Sequence, residues 1–307
     1  MERENETTGL IYGILAYITW GVLPLYWKLL EEIPAIEILA YRIFWSFAFV
    51  GIILLATGNW KSLVDVCKSR RNIFLIFLCS SIISGNWGIY IWAVNSGQVV
   101  EASMGYYINP LVVFVFSVFI LKERLNLWQV CAIGAATLGV LILTIQYGKF
   151  PWIALTLAVT FAVYGLIKKM INVDAMGGLA LETAIIAPLA LLYIIFRQVQ
   201  GIGALGSVSI GTLLILLGSG VVTASPLLWF AQAARKLKFS TLGFLQYIAP
   251  TLSLFLGVII FKEPFTSTHF FSFGFIWLGL VIYTLSNVGV LKNKLYHNEL
   301  AKETTKP

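Results

Sequence analysis

The sequence predicts an all-α, polytopic membrane protein with ten transmembrane helices arranged as two inverted five-helix repeats. Three observations carry that expectation. Charged residues make up only 11% of the 307 residues and hydrophobic ones 59%, where a soluble chain carries about a quarter charged. Apolar runs of the roughly 20 residues that a helix needs to cross about 30 Å of hydrocarbon recur ten times. The stretch from Tyr107 to Thr144 also matches that from Tyr247 to Thr284 at a constant, gap-free offset of 140. Its identities include Tyr107/Tyr247, Pro110/Pro250, Lys122/Lys262, Glu123/Glu263, Gly134/Gly274 and Gly139/Gly279. Shared apolar composition cannot produce the Pro, Lys-Glu and Gly matches. A weaker echo sets Thr19, Val22, Leu25 and Lys28 against Thr160, Val163, Leu166 and Lys169 at an offset of 141, which extends the duplication over most of the chain. The repeats are expected over 9–145 and 151–288, with a cytoplasmic tail at 289–307.

The first span, 9–30, follows the polar MERENETT segment, and no small-residue cleavage pattern follows it, so it is expected to stay in the mature protein. The second, 34–57, opens on Pro34 and carries Glu37 and then Arg42. A charge at mid-membrane costs about 2.5 to 3.5 kcal/mol even on insertion scales, so the permanent guanidinium of Arg42 must face a partner or a watery cavity. A buried ion pair and direct substrate contact are equally good readings of it. Glu37, nearer the outer end, reads as solvated. The third span, 73–94, ends NWGIYIWAVN, which puts Asn86 and Tyr90 on one face with Trp87 and Trp92 around it. Tryptophans near span ends are commonly interfacial anchors.

In the fourth span, 101–121, Glu101, Gly105 and Asn109 recur every four residues with Tyr106 beside them, a polar stripe in an apolar helix. Pro110 follows and removes one i to i−4 hydrogen bond. The run LVVFVFSVFIL is apolar on every side, which excludes the two-residue alternation of a β-barrel strand. At its end Lys122 suits a helix C-terminus and Glu123 the N-terminus of the next helix. The fifth span, 127–145, and the tenth, 268–288, carry Gly134 and Gly139 and their echoes Gly274 and Gly279, read as close-packing residues. The sixth, 151–167, ends at Lys168 and Lys169. In the seventh, 179–196, Glu182 reads as interfacial. The eighth, 210–233, has Ser219 and Thr223 ahead of Pro226. The ninth, 242–261, supplies Gln246, Tyr247 and Pro250 as the counterpart of the fourth-span stripe. Kinked helices at corresponding positions of two repeats point to a central transport site.

With the N-terminus inside, sixteen of the 21 Lys and Arg residues fall on the cytoplasmic side, gathered in clusters such as Lys61, Lys68, Arg70 and Arg71. Only Lys28, Lys149, Arg197 and Lys262 fall outside. This asymmetry supports the span count and places both termini in the cytoplasm. Five spans per repeat make the second half enter from the opposite face. The net charge of +7 is scattered between apolar runs, so it reads as orientation and not as nucleic-acid binding. Cys67, Cys79 and Cys131 form no C-x-x-C pair and read as buried packing. The two histidines, His269 and His297, cannot cluster around a metal, and no H-E-x-x-H, G-x-x-x-x-G-K-[ST] or G-x-S-x-G pattern occurs. Neither an enzyme, nor a metal, nor a cofactor is expected.

The stretch NWGIYIWAVNSGQVVEASMGYYINPL with FILKERL, and SPLLWFAQAARKLKFSTLGFLQYIAPTL with KEPF, closely resembles RarD-type proteins of the EamA branch of the drug/metabolite transporter superfamily. The resemblance covers nearly the whole chain. It implies a ten-helix, five-plus-five transporter of a bacterial inner membrane, in a group whose name is linked to chloramphenicol sensitivity. It carries over Arg42, Asn86, Trp87, Tyr90, Asn95, Glu101, Ser103, Tyr106, Asn109, Pro110, Pro226, Gln246, Tyr247 and Pro250 as characteristic residues without individual roles. The chain departs from many relatives at Tyr41, where they have His, and at Lys122 and Lys262, where they have Gly.

The expected function is secondary transport of a small metabolite or drug, outward by resemblance, through a cavity lined by the third, fourth, eighth and ninth spans. Arg42, Asn86, Trp87, Tyr90, Tyr106, Asn109, Gln246 and Tyr247 are the expected substrate-binding residues, with Arg42 attracting an anionic group or holding a gating carboxylate. Glu101, Pro110 and Pro250 are expected to couple or gate, Glu101 being the one cavity-side carboxylate suited to a proton, with counter-substrate coupling as the other option. The competing reading keeps the fold but makes the protein a non-transporting sensor or assembly subunit.

Overall fold

A computed structural model describes residues 2–287 apart from 59, 97, 172 and 261–265. The Lys262-Glu263 turn, the side chain of Asn95 and the 289–307 tail lie outside the described residues. The described chain is helical: α1 Glu2–Lys28, α2 Ala35–Thr57, the short α3 Trp60–Cys67, α4 Arg70–Asn95, α5 Val99–Phe119, α6 Leu127–Tyr147, α7 Trp152–Met170, α8 Ala175–Val199, α9 Ile210–Lys236, α10 Phe239–Gln246, α11 Ile248–Phe255 continued by a π-turn over Leu256–Ile260, and α12 Ser267–Asn287. Ten stretches are long and apolar enough to cross a membrane, with α10, α11 and the π-turn forming the ninth as one. The surface is inverted relative to a soluble protein, with Phe119, Ile145, Val199 and Ile210 all more than 75% exposed, as lipid contact allows.

Local chemistry sets the helix ends. Asn126 and Gln129 form a reciprocal capping box at α6, Asp174 accepts from the Met176 and Gly177 N–H groups at α8, and Ser209 accepts from Thr212 N–H at α9. Lys122 closes α5 in the left-handed region at φ 54°, a conformation that suits Gly and strains a residue with a Cβ. Glu123 does cap a helix N-terminus, but not that of the next helix. It accepts from Phe239 N–H at 2.6 Å, Ser240 N–H at 3.0 Å and Ser240 O–H at 2.6 Å, tying the end of α5 to the start of α10.

Spans of the first half pack chiefly on spans of the second. The first lies on the eighth and ninth, the second on the seventh and eighth, the third on the sixth and seventh, the fourth on the sixth and ninth, and the fifth on the tenth. Replacing every span by its counterpart five places on maps this set of pairs onto itself. Glycines permit the tightest crossings. A Cβ on Gly220 would meet the Trp45 and Ser46 backbone where α9 crosses α2, and one on Gly279 would lie 2.6 Å from the Ala132 carbonyl where α12 crosses α6. Gly139 sits likewise against the Ser272 carbonyl, whereas Gly134 and Gly274 face open space, so both glycines of the Gly139/Gly279 pair are packing residues and neither of the Gly134/Gly274 pair is. Cys79 is buried, but Cys67 and Cys131 are exposed, which corrects the buried reading for two of the three.

The two equivalent prolines act differently. α5 runs unbroken through Pro110, while the ninth span breaks at Tyr247, whose N–H reaches back only three residues to the Phe244 carbonyl at 3.2 Å. Lacking an N–H, Pro110 leaves the Tyr106 carbonyl, and Pro250 the Gln246 carbonyl, without its i+4 donor.

Candidate functional site

Arg42 projects from α2 into a group assembled from five spans. Its Nε donates to Thr223 Oγ1 on α9 at 3.1 Å. The guanidinium carbon lies 4.6 Å from the ring centre of Trp27, at the end of α1, and 5.0 Å from that of Trp87 on α4, separations at which an indole face attracts a cation. Tyr90 on α4 and Tyr106 on α5 stand within electrostatic range of the guanidinium and meet edge to face with centroids 6.0 Å apart. Tyr106 keeps 54% of its surface accessible. Among the described residues no carboxylate stands within 4 Å of Arg42.

The remaining predicted residues fall into two further groups. Asn86 donates its amide to the Leu157 carbonyl at 2.9 Å and to Thr160 Oγ1 at 2.8 Å, and Asn109 donates to the Ala158 carbonyl at 2.6 Å. Both are buried and fasten α4 and α5 onto α7 beside the Arg42 group. Gly105 completes that contact, a Cβ there lying 3.1 Å from the Ala154 carbonyl. Gln246 and Tyr247 are buried at the break in the ninth span, where the Gln246 amide faces the Tyr17 phenol. The Gln246 Oε1 and Tyr247 hydroxyl lack hydrogen-bond partners that meet normal geometry. No hydrogen bond or cation–ring contact joins this pair to Arg42 among the described residues, and Tyr247 packs instead in one apolar cluster with Met104 and Ile108 of α5.

Glu37, Glu101, Glu123 and Glu182 all have partners among the described residues. Glu101 is buried, accepting from Tyr147 O–H at 2.8 Å and from Ile153 N–H at 2.7 Å, so it caps α7 and holds the ends of α5, α6 and α7 together. Glu37, expected to be solvated, is 1% exposed. It accepts from Arg197 Nε at 3.3 Å, Arg197 Nη2 at 3.2 Å and Ala204 N–H at 2.7 Å, which closes α2 onto α8. Glu182, expected at the interface, and Lys168, expected in a loop, form a buried ion pair between α7 and α8, with the ammonium 5.4 Å from the Tyr164 ring centre. Beside it Lys169 donates to the Leu237 carbonyl, and Arg235 approaches Asp174 at 3.9 Å.

Trp27 and Tyr17 were not singled out from the sequence, and neither were the Lys168–Glu182 and Glu37–Arg197 pairs. Each depends on a partner more than ten residues away on another helix, which no local spacing encodes. The one available signal was electrostatic, since a lone acid in an apolar run demands a base somewhere.

Comparisons with known proteins agree with this architecture. A profile of the EamA-like transporter family matches residues 7–145. The uncharacterized transporter YojE of Bacillus subtilis is 46% identical over 292 residues, which covers 94% of this chain and 97% of YojE. Protein RarD of Streptomyces exfoliatus is 46% identical over 285 residues, covering 92% of this chain and 90% of that one. A crystal structure 21% identical in sequence superposes with a TM-score of 0.69 over 90% of this chain and 97% of its own, a likeness of fold.

Proposed function

Because this chain belongs to the RarD-type proteins of the EamA transporter family, we propose that it is a secondary transporter that moves a small metabolite or drug by alternating access around Arg42. That it is a multi-pass membrane transporter of a small molecule follows from the family and the ten spans. The observation that carries the finer reading is the convergence of α1, α2, α4, α5 and α9 on one permanent cation inside the membrane, beside a half-exposed Tyr106.

The distribution of polar contacts supports the mechanism. With both termini in the cytoplasm of a bacterial inner membrane, Glu37–Arg197 and Glu101–Tyr147–Ile153 lie toward the outside, while Glu123–Ser240, Lys168–Glu182 and Lys169–Leu237 lie toward the inside. Each set ties spans of one half to one another or to the other half near one face of the membrane, so opening either face means releasing one set while the other holds. The pairing of spans, unchanged by exchange of the halves, supports two inverted repeats that rock about the shared centre. In this reading Trp87, Tyr90 and Tyr106 wall the cargo site. Asn86 and Asn109 hold the wall in place, and Gln246, Tyr247, Pro110 and Pro250 supply the flexible or unpaired positions of the gating helices. Glu101 is the proposed coupling carboxylate, with counter-substrate exchange as the alternative source of driving force, and the direction is outward.

Counterflow in proteoliposomes tests the proposal. Labelled cargo from a panel of amino acids, nucleosides, amines, organic acids and antibiotics should accumulate against unlabelled cargo, and Arg42→Gln should abolish this without unfolding the protein. If the whole panel gives no flux while deletion of the gene still has a phenotype, the sensor or assembly reading takes its place.

A further inference from the structure

We propose that the cargo is anionic where it meets Arg42: a small molecule bearing a carboxylate or phosphate-type group on a flat apolar body. The inference rests on the transport reading for its physiological meaning but on separate observations for its chemistry. A guanidinium has five N–H donors in a rigid fork. In Arg42 only Nε has an acceptor, Thr223 Oγ1; neither η nitrogen has one among the described residues, and neither is sealed from solvent. Trp27 and Trp87 lie over the guanidinium, so its unused donors are those of the η edge, the geometry that binds a carboxylate or phosphate through two parallel bonds.

Charge balance within the membrane points the same way. Arg42 lies seven residues past the start of α2 at Ala35, about 10 Å along the helix at 1.5 Å per residue. The four carboxylates of the described spans and of the turn after α5 are engaged elsewhere: Glu37 by Arg197, Glu101 by Tyr147 and Ile153, Glu123 by Phe239 and Ser240, and Glu182 by Lys168. Arg197 and Lys168 have carboxylates, and Lys169 has a carbonyl. Arg42 is thus a permanent intramembrane cation with no carboxylate partner among the described residues, set beside the accessible ring of Tyr106. The aromatic surfaces of Tyr90 and Tyr106 would accept the apolar part of a ligand, and the cation would exclude amines. Neutral analogues of the same shape would lose the charge-assisted bonds.

Matched probes on the purified full-length protein test this: phenylacetate against phenylacetamide, with phenyl phosphate as the phosphate arm and benzylamine as the cation. Affinity is read by calorimetry and by ligand-induced shift in melting temperature. At least tenfold tighter binding of phenylacetate or phenyl phosphate than of phenylacetamide is expected, with no binding of benzylamine. The acid-to-amide ratio should collapse toward one in Arg42→Gln. Should that variant fail to fold, Arg42→Lys carries the test, because keeping the charge but losing the fork should weaken acid binding several-fold and leave the amide unmoved. Wild-type ratios near one, absence of acid binding, or a ratio that survives at position 42 would overturn the proposal. Arg42-dependent acid binding without counterflow would sink the transport reading and leave the anion site standing. Counterflow confined to neutral or cationic cargo and abolished by Arg42→Gln would do the reverse.

Discussion

Replacing Glu182 by Gln removes the counter-ion of Lys168 while keeping the size and shape of the side chain. The two groups are 4% and 8% exposed, so the ammonium left behind cannot be rescued by bulk water. Breaking a buried pair by removing one member costs about 3–5 kcal/mol. The amide oxygen of Gln still accepts one hydrogen bond, which places this variant near the lower end, at about 3 kcal/mol. At roughly 2–4 °C per kcal/mol, the melting temperature should fall by on the order of 6–12 °C. The exposed pair Lys28–Glu31, 2.9 Å apart with side chains 58% and 67% exposed, is the internal control; Glu31→Gln should cost no more than about 0.5 kcal/mol. The double variant Lys168→Met/Glu182→Leu should recover most of the loss, since an apolar pair needs no counter-ion. Thermal unfolding of the purified protein in detergent, repeated in denaturant with mixed micelles, provides the readout. If Glu182→Gln and Glu31→Gln prove equally mild, or the double variant is worse than the single one, the buried-pair account of the α7–α8 contact is wrong.

Three further outcomes follow from single positions. Gly220→Ala would push its Cβ into the Trp45 and Ser46 backbone, at a cost of about 1–3 kcal/mol. Because Thr223 is one turn from Gly220 and Arg42 one turn from Ser46, counterflow should fall by more than stability does, whereas Gly274→Ala, facing open space, should leave both unchanged. Lys122→Gly should stabilise the protein by about 0.5–1 kcal/mol by relieving the positive φ, and a lower melting temperature would contradict that. Glu101→Gln keeps an acceptor for Ile153 N–H but cannot titrate, so transport should lose its pH dependence, and an identical pH profile would eliminate Glu101 as the coupling group.

Much of the architecture was legible because membrane insertion writes it in one dimension. Ten apolar runs, bounded by basic clusters, match the ten spanning stretches, and the cost of a buried charge singled out Arg42 before any neighbour was known. What escaped is what depends on pairing between helices. Glu37 and Glu182 looked interfacial because each lies within two turns of a span end, yet both face a base on another helix. Pro110 and Pro250 occupy equivalent positions of the two repeats but differ in effect. Close packing at Gly105 and the Asn109 bond to the Ala158 carbonyl clamp α5 onto α7 through its proline, while the counterpart of Gly105 in the ninth span is the bulkier Leu245 and that span breaks at Tyr247. Trp27 could be assigned to the Arg42 group only once the folded path of α1 and α2 had brought the two side chains together.

The most direct test of a water-filled centre shared by the two halves is accessibility at Tyr106. In a protein with Cys67, Cys79 and Cys131 replaced by Ala, a single Tyr106→Cys should react with a small charged thiol reagent in intact membrane vesicles, and cargo should slow the reaction. Vesicles of both orientations should be labelled, at rates that shift in opposite directions when cargo is supplied on one side. Labelling only by a lipid-soluble maleimide, with the charged reagent excluded from both faces, would place Tyr106 against lipid and contradict alternating access around Arg42.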